Sequence, residues 1–161
     1  MAIKVGDKIP KATLKRLTPE GIKDIHTDEF FKGRKVVLFS VPGAFTPTCS
    51  AKHLPGFVDK AEEIKAKGVS EIVCFSVNDA FVMDSWGKDR AVGNKVTLLA
   101  DGNAEFARAL GLEMDGTGYG MGIRGQRFSA LVEDGVVKTL HVEAPGKFEV
   151  SRAEVILGDL K

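Results

Sequence analysis

The sequence has few cysteines and histidines, and this limits the kinds of site that it can build. Of its 161 residues, 2 are cysteine and 3 are histidine. Two cysteines are too few for a secreted disulfide scaffold or for a cysteine-rich zinc site. The histidines, His26, His53 and His141, show no metal-ligand spacing. We therefore expect no metal and no bound cofactor, and the question becomes whether Cys49 or Cys74 is a reactive thiol.

The chain also lacks an excess of either charge and any long apolar run. It carries 23 basic and 22 acidic residues, so no single-sign surface favours nucleic acid or an anionic membrane as a partner. Apolar runs such as residues 36–39 and 129–132 are far too short to span a bilayer. The first residues hold no apolar core of a signal peptide. We expect a soluble, cytoplasmic protein with no nucleic-acid or membrane partner.

Short apolar runs alternate with helical patterns along the first two thirds of the chain. The predicted strands cover residues 36–41, 71–77 and 95–100, and the predicted helices cover residues 50–67, 81–86 and 104–110. Pro55 lies inside the first helical pattern and should kink or split that helix. This order, with no repeat or linker, predicts one domain over residues 1–161. We expect this domain to have an α/β, thioredoxin-like fold with a central mixed sheet flanked by helices.

The last third of the chain has a different pattern. Residues 128–142 predict a β-hairpin with its turn at Asp134-Gly135, and Ser151 is predicted to cap a last helix that reaches Leu157. Between residues 112 and 126 the sequence has many glycines and little periodicity, which predicts a loop. That loop is either functional or a plain surface excursion, and the sequence favours neither.

Cys49 follows a predicted strand and a Pro42-Gly43 turn, and it opens the first predicted helix. A helix start presents unpaired amide N–H groups and the positive end of the helix dipole, and both favour a thiolate over a thiol. Thr46 and Thr48 add hydroxyls that can donate hydrogen bonds to sulfur or to a bound oxygen. The alternative is a buried structural cysteine, since free cysteine is among the most buried residue types. Position alone favours the reactive thiol over this alternative.

The segment Pro42-Gly-Ala-Phe-Thr46-Pro-Thr-Cys49 resembles the Pro-x-x-x-Thr-x-x-Cys signature of the peroxiredoxin family at every defining position. Longer similarities to the peroxiredoxin-5, or type II, subfamily lie at residues 42–57, 75–87, 98–112 and 127–137. Four collinear matches are far more specific than one short motif. The resemblance implies a thiol-dependent peroxidase that reduces hydrogen peroxide and alkyl hydroperoxides, in antioxidant defence and cell redox homeostasis.

The resemblance also implies roles for four residues. Cys49 matches the peroxidatic cysteine, which attacks the terminal peroxide oxygen and becomes a sulfenic acid. Thr46 matches the threonine whose hydroxyl hydrogen-bonds the thiolate and the peroxide, and Pro42 matches the proline that shields the sulfur from water. Arg127 matches the arginine that stabilises the thiolate and the polarised oxygen–oxygen bond. Arg124 is a nearby candidate, but it lies on the loop side and does not match the motif.

Two further residues each have two interpretations. Cys74 lies on a predicted central strand and is either a structural thiol or a resolving cysteine that condenses with the Cys49 sulfenic acid. We favour the structural role, because parallel strands rarely bring two Cα atoms within the ~4.4–6.8 Å that a disulfide needs. His53 comes four residues after Cys49, so on a helix it faces the same side and could tune the thiolate. For His53 too, we favour a structural role.

The stretch from Phe148 to Ser151 differs from animal members of the subfamily, which carry a resolving cysteine near the start of the last helix. This chain has serine there, and in this it is similar to plant and bacterial members that glutathione and glutaredoxin regenerate. The resemblance therefore implies an external thiol as reductant, either glutathione with glutaredoxin or thioredoxin. It also implies a homodimer, the common state of family members.

Two rival functions remain. A thioredoxin-type disulfide oxidoreductase needs a Cys-x-x-Cys pair, whereas Cys49 is followed by Ser50-Ala51-Lys52. A peroxide-sensing redox interaction module would use Cys49 only as a switch, and such a switch needs neither Thr46 nor Arg127. Because both residues are present, we favour the enzyme.

Overall fold

A computed structural model of the chain describes residues 2–160. Its strands are β1 (Thr13–Thr18), β2 (Gly21–His26), β3 (Lys35–Ser40), β4 (Glu71–Ser76), β5 (Thr97–Ala100), β6 (Glu113–Asp115), β7 (Ile123–Gly125), β8 (Phe128–Glu133) and β9 (Val136–Val142). Its α-helices are α1 (Thr27–Phe30), α2 (Leu54–Ala66), α3 (Ala80–Asp89), α4 (Glu105–Leu110) and α5 (Ala153–Asp159). A π-helical turn (Cys49–His53) precedes α2, and a 3-10 turn (Thr117–Tyr119) separates β6 from β7. Within residues 2–160, no helix has the length and apolar character needed to cross a membrane.

The longest apolar runs form the centre of a mixed sheet with the strand order β2-β1-β5-β4-β3-β8-β9. Strands β3, β4 and β5 run parallel, which places Cys74 of β4 between Phe39 of β3 and Leu98 of β5. Strand β8 joins β3 in the antiparallel direction, and β9 and the β1–β2 hairpin complete the two edges. Buried central strands of this kind are expected to be apolar throughout. The sheet and its helices confirm the predicted α/β, thioredoxin-like fold.

Side chains alternate between the two faces of the sheet and build a core on each. Phe39 of β3 points to the face covered by α2, α3 and α5. Leu38, one residue earlier, points to the opposite face, which α4 covers. Cys49 and Cys74 both belong to the first core, so the two thiols are buried on the same side of the sheet.

Pro55 shapes the start of the helical segment that carries Cys49. Because proline lacks an N–H group, it cannot donate to the carbonyl four residues earlier. The turn before it is π-helical, and the Leu54 amide donates to the Cys49 carbonyl five residues back. Regular α-helix begins at Leu54, with Pro55 in its first turn, where the fixed φ of proline suits the helix. The segment is thus divided near Pro55, as the sequence predicted.

The glycine-rich segment 112–126 is not the loop that the sequence predicted. It forms an antiparallel hairpin of β6 and β7 around the 3-10 turn. The Gly116 amide donates to the Gly122 carbonyl at 2.6 Å, and a Cβ on Gly116 would lie only 2.9 Å from that oxygen. The glycine at position 116 therefore permits a close backbone approach within a folded hairpin.

Ser151 does not cap the last helix, contrary to the prediction. Helix α5 begins at Ala153, and its N-cap residue is Arg152, whose side chain makes no capping hydrogen bond. The Ser151 hydroxyl instead donates to Glu143 Oε2 at 2.6 Å. The hydroxyl proton is thus donated to a carboxylate, and a charged acceptor makes a stronger hydrogen bond than a neutral one.

Candidate active site

Cys49 lies in the first turn of the helical segment, which starts at Pro47, and its side chain is completely buried. The Ser50 amide donates to the Thr46 carbonyl at 3.0 Å, one turn earlier. The amides of Thr48 and Cys49 come before this bond, at the helix end where N–H groups have no intrahelical acceptor. The fold therefore places backbone donors and the positive helix end beside Cys49.

Arg127 reaches Cys49 from the start of β8. Phe128 points into the core under α4, so Arg127, one residue earlier, points to the other face. Its Nη2 donates to Cys49 Sγ at 3.0 Å. The Arg127 carbonyl accepts from the Glu143 amide at 3.0 Å, and the Phe148 ring lies 5.7 Å from the guanidinium carbon. A fixed guanidinium of this kind is a suitable partner for a thiolate.

Thr46 is turned toward Gly43 and not toward the sulfur. Its Oγ1 donates to the Gly43 carbonyl at 2.6 Å, and its amide points to the same oxygen at 3.3 Å. Among residues 2–160 the hydrogen bond to Cys49 Sγ comes from Arg127, and Thr46 supplies none. The expected donation from Thr46 to the sulfur is therefore absent. A hydroxyl whose proton is engaged in this way can still accept a hydrogen bond from a peroxide O–H group.

The turn that carries Pro42 is held from two sides. The Ala44 amide donates to Asn78 Oδ1 at 2.9 Å, and Arg124 Nη1 lies 3.5 Å from the Pro42 carbonyl. A Cβ at position 43 would lie 3.0 Å from Arg124 Nη1, so the glycine gives the guanidinium room beside the turn. Arg124 therefore supports the turn, whereas the arginine that contacts the Cys49 sulfur is Arg127.

A cleft of about 590 Å³ opens over Pro42, Thr48 and Arg127. Its other walls come from the segment 113–126, which contains the β6–β7 hairpin, and from residues 143–147. Pro42, Thr48 and Arg127 form the floor of the cleft. Cys49 lies behind this floor and accepts a hydrogen bond from Arg127. A smaller hollow of about 240 Å³ between β1 and α3 shares no residue with the cleft. The cleft thus brings Pro42 and Arg127, two of the predicted site residues, to one opening on the surface.

His53 contacts Arg127 in this site, although the sequence favoured a structural role for it. It is completely buried, with Nδ1 2.8 Å from Arg127 Nη1 and Nε2 3.0 Å from the Ser151 carbonyl. Since arginine can only donate, Nδ1 is the acceptor, and the ring proton on Nε2 is donated to Ser151. Burial and the Arg127 charge lower the pKa of His53 to about 3, against a smaller opposing effect of the Ser151 carbonyl. The four-residue spacing from Cys49 was the only sequence signal for this contact.

Glu143 organises the backbone that holds His53. It is 6% exposed, and its Oε2 accepts from the amides of Glu149, Val150 and Ser151 at 2.8, 2.9 and 2.8 Å. Burial acts to raise the pKa of Glu143, but the hydrogen bonds from Ser151 and these amides outweigh it, so the pKa is lowered. The carboxylate therefore stays charged and fixes the carbonyl that accepts from His53. No pattern in the sequence pointed to Glu143.

The neutral state of His53 predicts how stability depends on pH. In the unfolded chain this histidine binds a proton below about pH 6.5, whereas in the folded protein its pKa is about 3. The unfolded state binds more protons between these values, so lowering the pH through this window should reduce the free energy of unfolding. The reduction from this residue is up to about 4 kcal/mol.

Urea unfolding of the native protein and of His53→Asn across the same window measures this contribution. The native protein should lose stability more steeply with falling pH than the variant, in which no group titrates at that position. Equal slopes would show that His53 is protonated at its ordinary pKa in the folded protein.

Cys74 lies at the centre of the sheet and is completely buried. Burial raises its pKa well above the ordinary range, the nearby Cys49 adds to this rise, and Arg127 opposes it. Cys74 therefore stays a protonated thiol near neutral pH. Both cysteines are free in this structure. These properties favour the structural interpretation of Cys74.

Comparison with known proteins places the chain in a family. The sequence profile of the Redoxin family matches residues 4–157. Peroxiredoxin-2B of Arabidopsis thaliana is 48% identical over 156 residues, which cover 96% of each chain. The chain belongs to the peroxiredoxin family. Reduced Prx3 of Vibrio vulnificus, in complex with hydrogen peroxide, matches this peroxiredoxin with a TM-score of 0.96 and 53% identity over 99% of both chains.

A second solved structure extends the comparison to the subfamily named above. Peroxiredoxin 5 of Alvinella pompejana matches with a TM-score of 0.86 and 34% identity, covering 98% of this chain and 97% of that one. This chain is thus a peroxiredoxin and a thiol peroxidase, a kind of enzyme that needs no prosthetic group. Within residues 2–160, no three histidine, cysteine or acidic side chains are grouped to hold a metal ion.

Proposed function

We propose that Cys49 is the residue of this peroxiredoxin that attacks peroxide, and that an external thiol regenerates it. The observation that carries this proposal is the 3.0 Å contact from Arg127 Nη2 to Cys49 Sγ behind the floor of the cleft. A fixed guanidinium stabilises negative charge on the sulfur before the reaction and on oxygen during it. Cys74, by contrast, has no such donor among the described residues.

The first step moves charge from sulfur to oxygen. The Cys49 thiolate attacks the terminal oxygen, a sulfur–oxygen bond forms, and the oxygen–oxygen bond breaks. The electron pair leaves on the second oxygen, which takes a proton from water and departs as water or an alcohol, while the attacked oxygen keeps its hydrogen and Cys49 becomes a sulfenic acid. In this step Arg127 stabilises the developing charge, Thr46 Oγ1 accepts a hydrogen bond from the peroxide O–H group, and Pro42 shields the sulfur from water.

The substrates we propose are hydrogen peroxide and alkyl hydroperoxides. The Vibrio vulnificus relative was solved with hydrogen peroxide, which supports the first substrate. The cleft of about 590 Å³ is much larger than hydrogen peroxide requires and has room for an alkyl group, which supports the second.

Regeneration needs two thiols from outside the chain. The thiolate of glutathione attacks the sulfenic sulfur and displaces the oxygen as water, which leaves a mixed disulfide on Cys49. A second thiol, from glutathione or glutaredoxin, then releases Cys49 and forms a new disulfide; thioredoxin is the alternative reductant. Because Cys49 Sγ is completely buried, the first helical turn must open during this step. We place the opening in the π-helical turn, because Cys49 is its first residue.

A steady-state peroxide assay with separate reductants tests this function against the rival one. An enzyme consumes many equivalents of peroxide per chain when glutathione and glutaredoxin are supplied. A peroxide-sensing module would consume about one equivalent per reactive thiol and then stop. Turnover with thioredoxin but not with glutathione would keep the peroxidase and change its reductant.

Replacing Cys74 with alanine should leave glutathione-supported turnover essentially unchanged, because one cysteine performs the chemistry. The free energy of unfolding should fall by about 1 kcal/mol, since a small buried group is removed from the core. Urea unfolding and the peroxide assay measure the two effects on one preparation. A variant that folds but stops after one peroxide equivalent would assign the resolving role to Cys74.

We further propose that the chain acts as one domain over residues 1–161 and forms a homodimer in the cytoplasm. Phe45 and Phe81 are 52% and 58% exposed, and a hydrogen bond from Ala44 to Asn78 links the segments that carry them. Exposed aromatic side chains on adjoining segments are typical of an interface.

Sedimentation equilibrium should give twice the chain mass for the native protein, and Phe81→Asp should lower the mass in solution to that of a monomer. A native protein that sediments as a monomer contradicts the dimer.

A further inference from the structure

We infer that His53 is a positioning residue for the reaction, and that it acts by holding one nitrogen of Arg127 so that the other faces the Cys49 sulfur. This inference rests on the proposed function of Cys49. Arg127 Nη1 lies 2.8 Å from His53 Nδ1, and Arg127 Nη2 lies 3.0 Å from Cys49 Sγ. The two contacts use the two ends of one planar fork, so the histidine fixes the direction of the donor that the sulfur receives.

Aromatic packing restricts the fork further. The Phe148 ring lies 5.7 Å from the Arg127 guanidinium carbon and 5.0 Å from the centre of the His53 ring. The His53 ring also packs against Phe39 and Phe57, with ring centres 4.9 and 5.6 Å away. An arginine side chain has many rotamers in solution, and a donor that is already oriented does not have to be ordered during the reaction.

The role requires an acceptor at Nδ1, and therefore a neutral ring. A protonated histidine would present an N–H group to Arg127 and repel its charge. The charged and titratable groups near the ring are Arg127, the Cys49 side chain and, behind Ser151, the Glu143 carboxylate. Because burial and Arg127 lower the pKa of His53 to about 3, the ring accepts throughout the neutral range.

The ring is also held at its other nitrogen. Nε2 donates to the Ser151 carbonyl at 3.0 Å, and Glu143 fixes the backbone at Ser151 by accepting from its amide and its hydroxyl. The tautomer that donates to Ser151 is the one that leaves Nδ1 free to accept from Arg127. The contacts on both sides of the ring thus agree on a single arrangement.

A matched pair of variants separates positioning from simple structural support. His53→Asn places an amide oxygen near the Nδ1 position, so it keeps an acceptor for Arg127 and loses the bond to Ser151. His53→Gln reaches the Nε2 position with an amide nitrogen, so it keeps the bond to Ser151 and loses the acceptor for Arg127. If His53 only supports the fold, the glutamine variant should be the less affected of the two.

Two readouts are taken for each variant: the rate constant for oxidation of Cys49 by hydrogen peroxide, and the rate of Cys49 alkylation by iodoacetamide as a function of pH. His53→Gln should slow oxidation by about 10- to 100-fold, the scale of one hydrogen bond to a charged group. It should also move the acid limb of the alkylation profile to higher pH. His53→Asn should stay within about threefold of the native rate. Equal losses in both variants, or a larger loss in His53→Asn, would overturn the inference.

A double-variant cycle tests whether His53 changes the oxidation and alkylation rates of Cys49 through Arg127. In the Arg127→Met background, His53→Gln should change neither readout further. A full additional loss would mean that His53 acts independently of Arg127. Alkylation needs no peroxide. A native protein that lacks peroxide turnover but shows this coupling would therefore defeat the proposed function while still showing that His53 positions Arg127 against the sulfur.

Nitrogen NMR of the His53 ring in the native protein requires no variant and so does not depend on variants folding. Nδ1 should give the signal of an unprotonated acceptor and Nε2 that of an N–H group near neutral pH. A proton on Nδ1 would contradict the inference.

Discussion

Replacing Cys49 with serine is expected to abolish peroxide turnover and to leave the fold intact. Serine is close to cysteine in shape, and its hydroxyl can still accept from Arg127 Nη2, which reaches the sulfur at 3.0 Å in the native protein. A serine hydroxyl does not ionise near neutral pH and is a poor nucleophile toward oxygen. Turnover should therefore fall by more than about a thousandfold, the scale seen when an enzyme loses its nucleophile.

The matched control for this change is Cys74→Ala, which alters the second buried cysteine of the same core. Peroxide consumption with glutathione and glutaredoxin is measured for both variants beside the native protein, after circular dichroism shows that both are folded. Loss in Cys49→Ser with retention in Cys74→Ala supports the assignment. Turnover by Cys49→Ser at more than a trace would show that another residue attacks peroxide.

Replacing Arg127 with methionine should be the second most damaging change. Methionine is similar in length and apolar, so it can occupy the space beside Phe148, but it provides neither charge nor donors. The rate constant for oxidation of Cys49 should fall by about 10²–10³, the usual loss for one preoriented charge-stabilising donor. The acid limb of the pH profile of this rate constant should also move to higher pH, since less thiolate is present at a given pH.

Loss of Arg127 also leaves His53 Nδ1 buried without its partner, which should cost about 1–3 kcal/mol of folding free energy. Arg108→Met, at an exposed position on α4, is the matched control and should keep native rates and stability. Stopped-flow oxidation over a range of pH measures the rates. An unchanged rate and pH profile for Arg127→Met would remove this residue from the mechanism.

The part of the fold that the sequence predicted is the part built from continuous apolar runs. Strands β3 and β4 are buried on both faces, so their composition alone identified them. The β1–β2 hairpin was missed because β2 is largely exposed and carries charged residues among its few apolar ones. An edge strand of this kind is defined by pairing with its neighbour, which a sequence pattern does not show.

The sequence predicted the part of the candidate site around Cys49, because a continuous motif describes it. It predicted Arg127 by similarity to the family. The spacing from Cys49 raised His53 as a candidate but did not show its contacts, and nothing pointed to Glu143, because the partners of both residues are distant in sequence. His53 contacts Arg127, 74 residues away, and Ser151, 98 residues away. A histidine inside an apolar helical pattern is compatible with many environments, and only the folded chain shows which acceptor or donor it meets.

Mass spectrometry of the peroxide-treated protein tests the central claim, that Cys49 alone takes the oxygen and an external thiol removes it. One equivalent of hydrogen peroxide should add about 16 Da to Cys49, the mass of one oxygen in a sulfenic acid. Glutathione should then convert this species to a mixed disulfide about 305 Da heavier than the reduced protein. Peptide mapping should find both additions on Cys49 and leave Cys74 reduced. A stoichiometric disulfide between Cys49 and Cys74, within or between chains, would contradict the account.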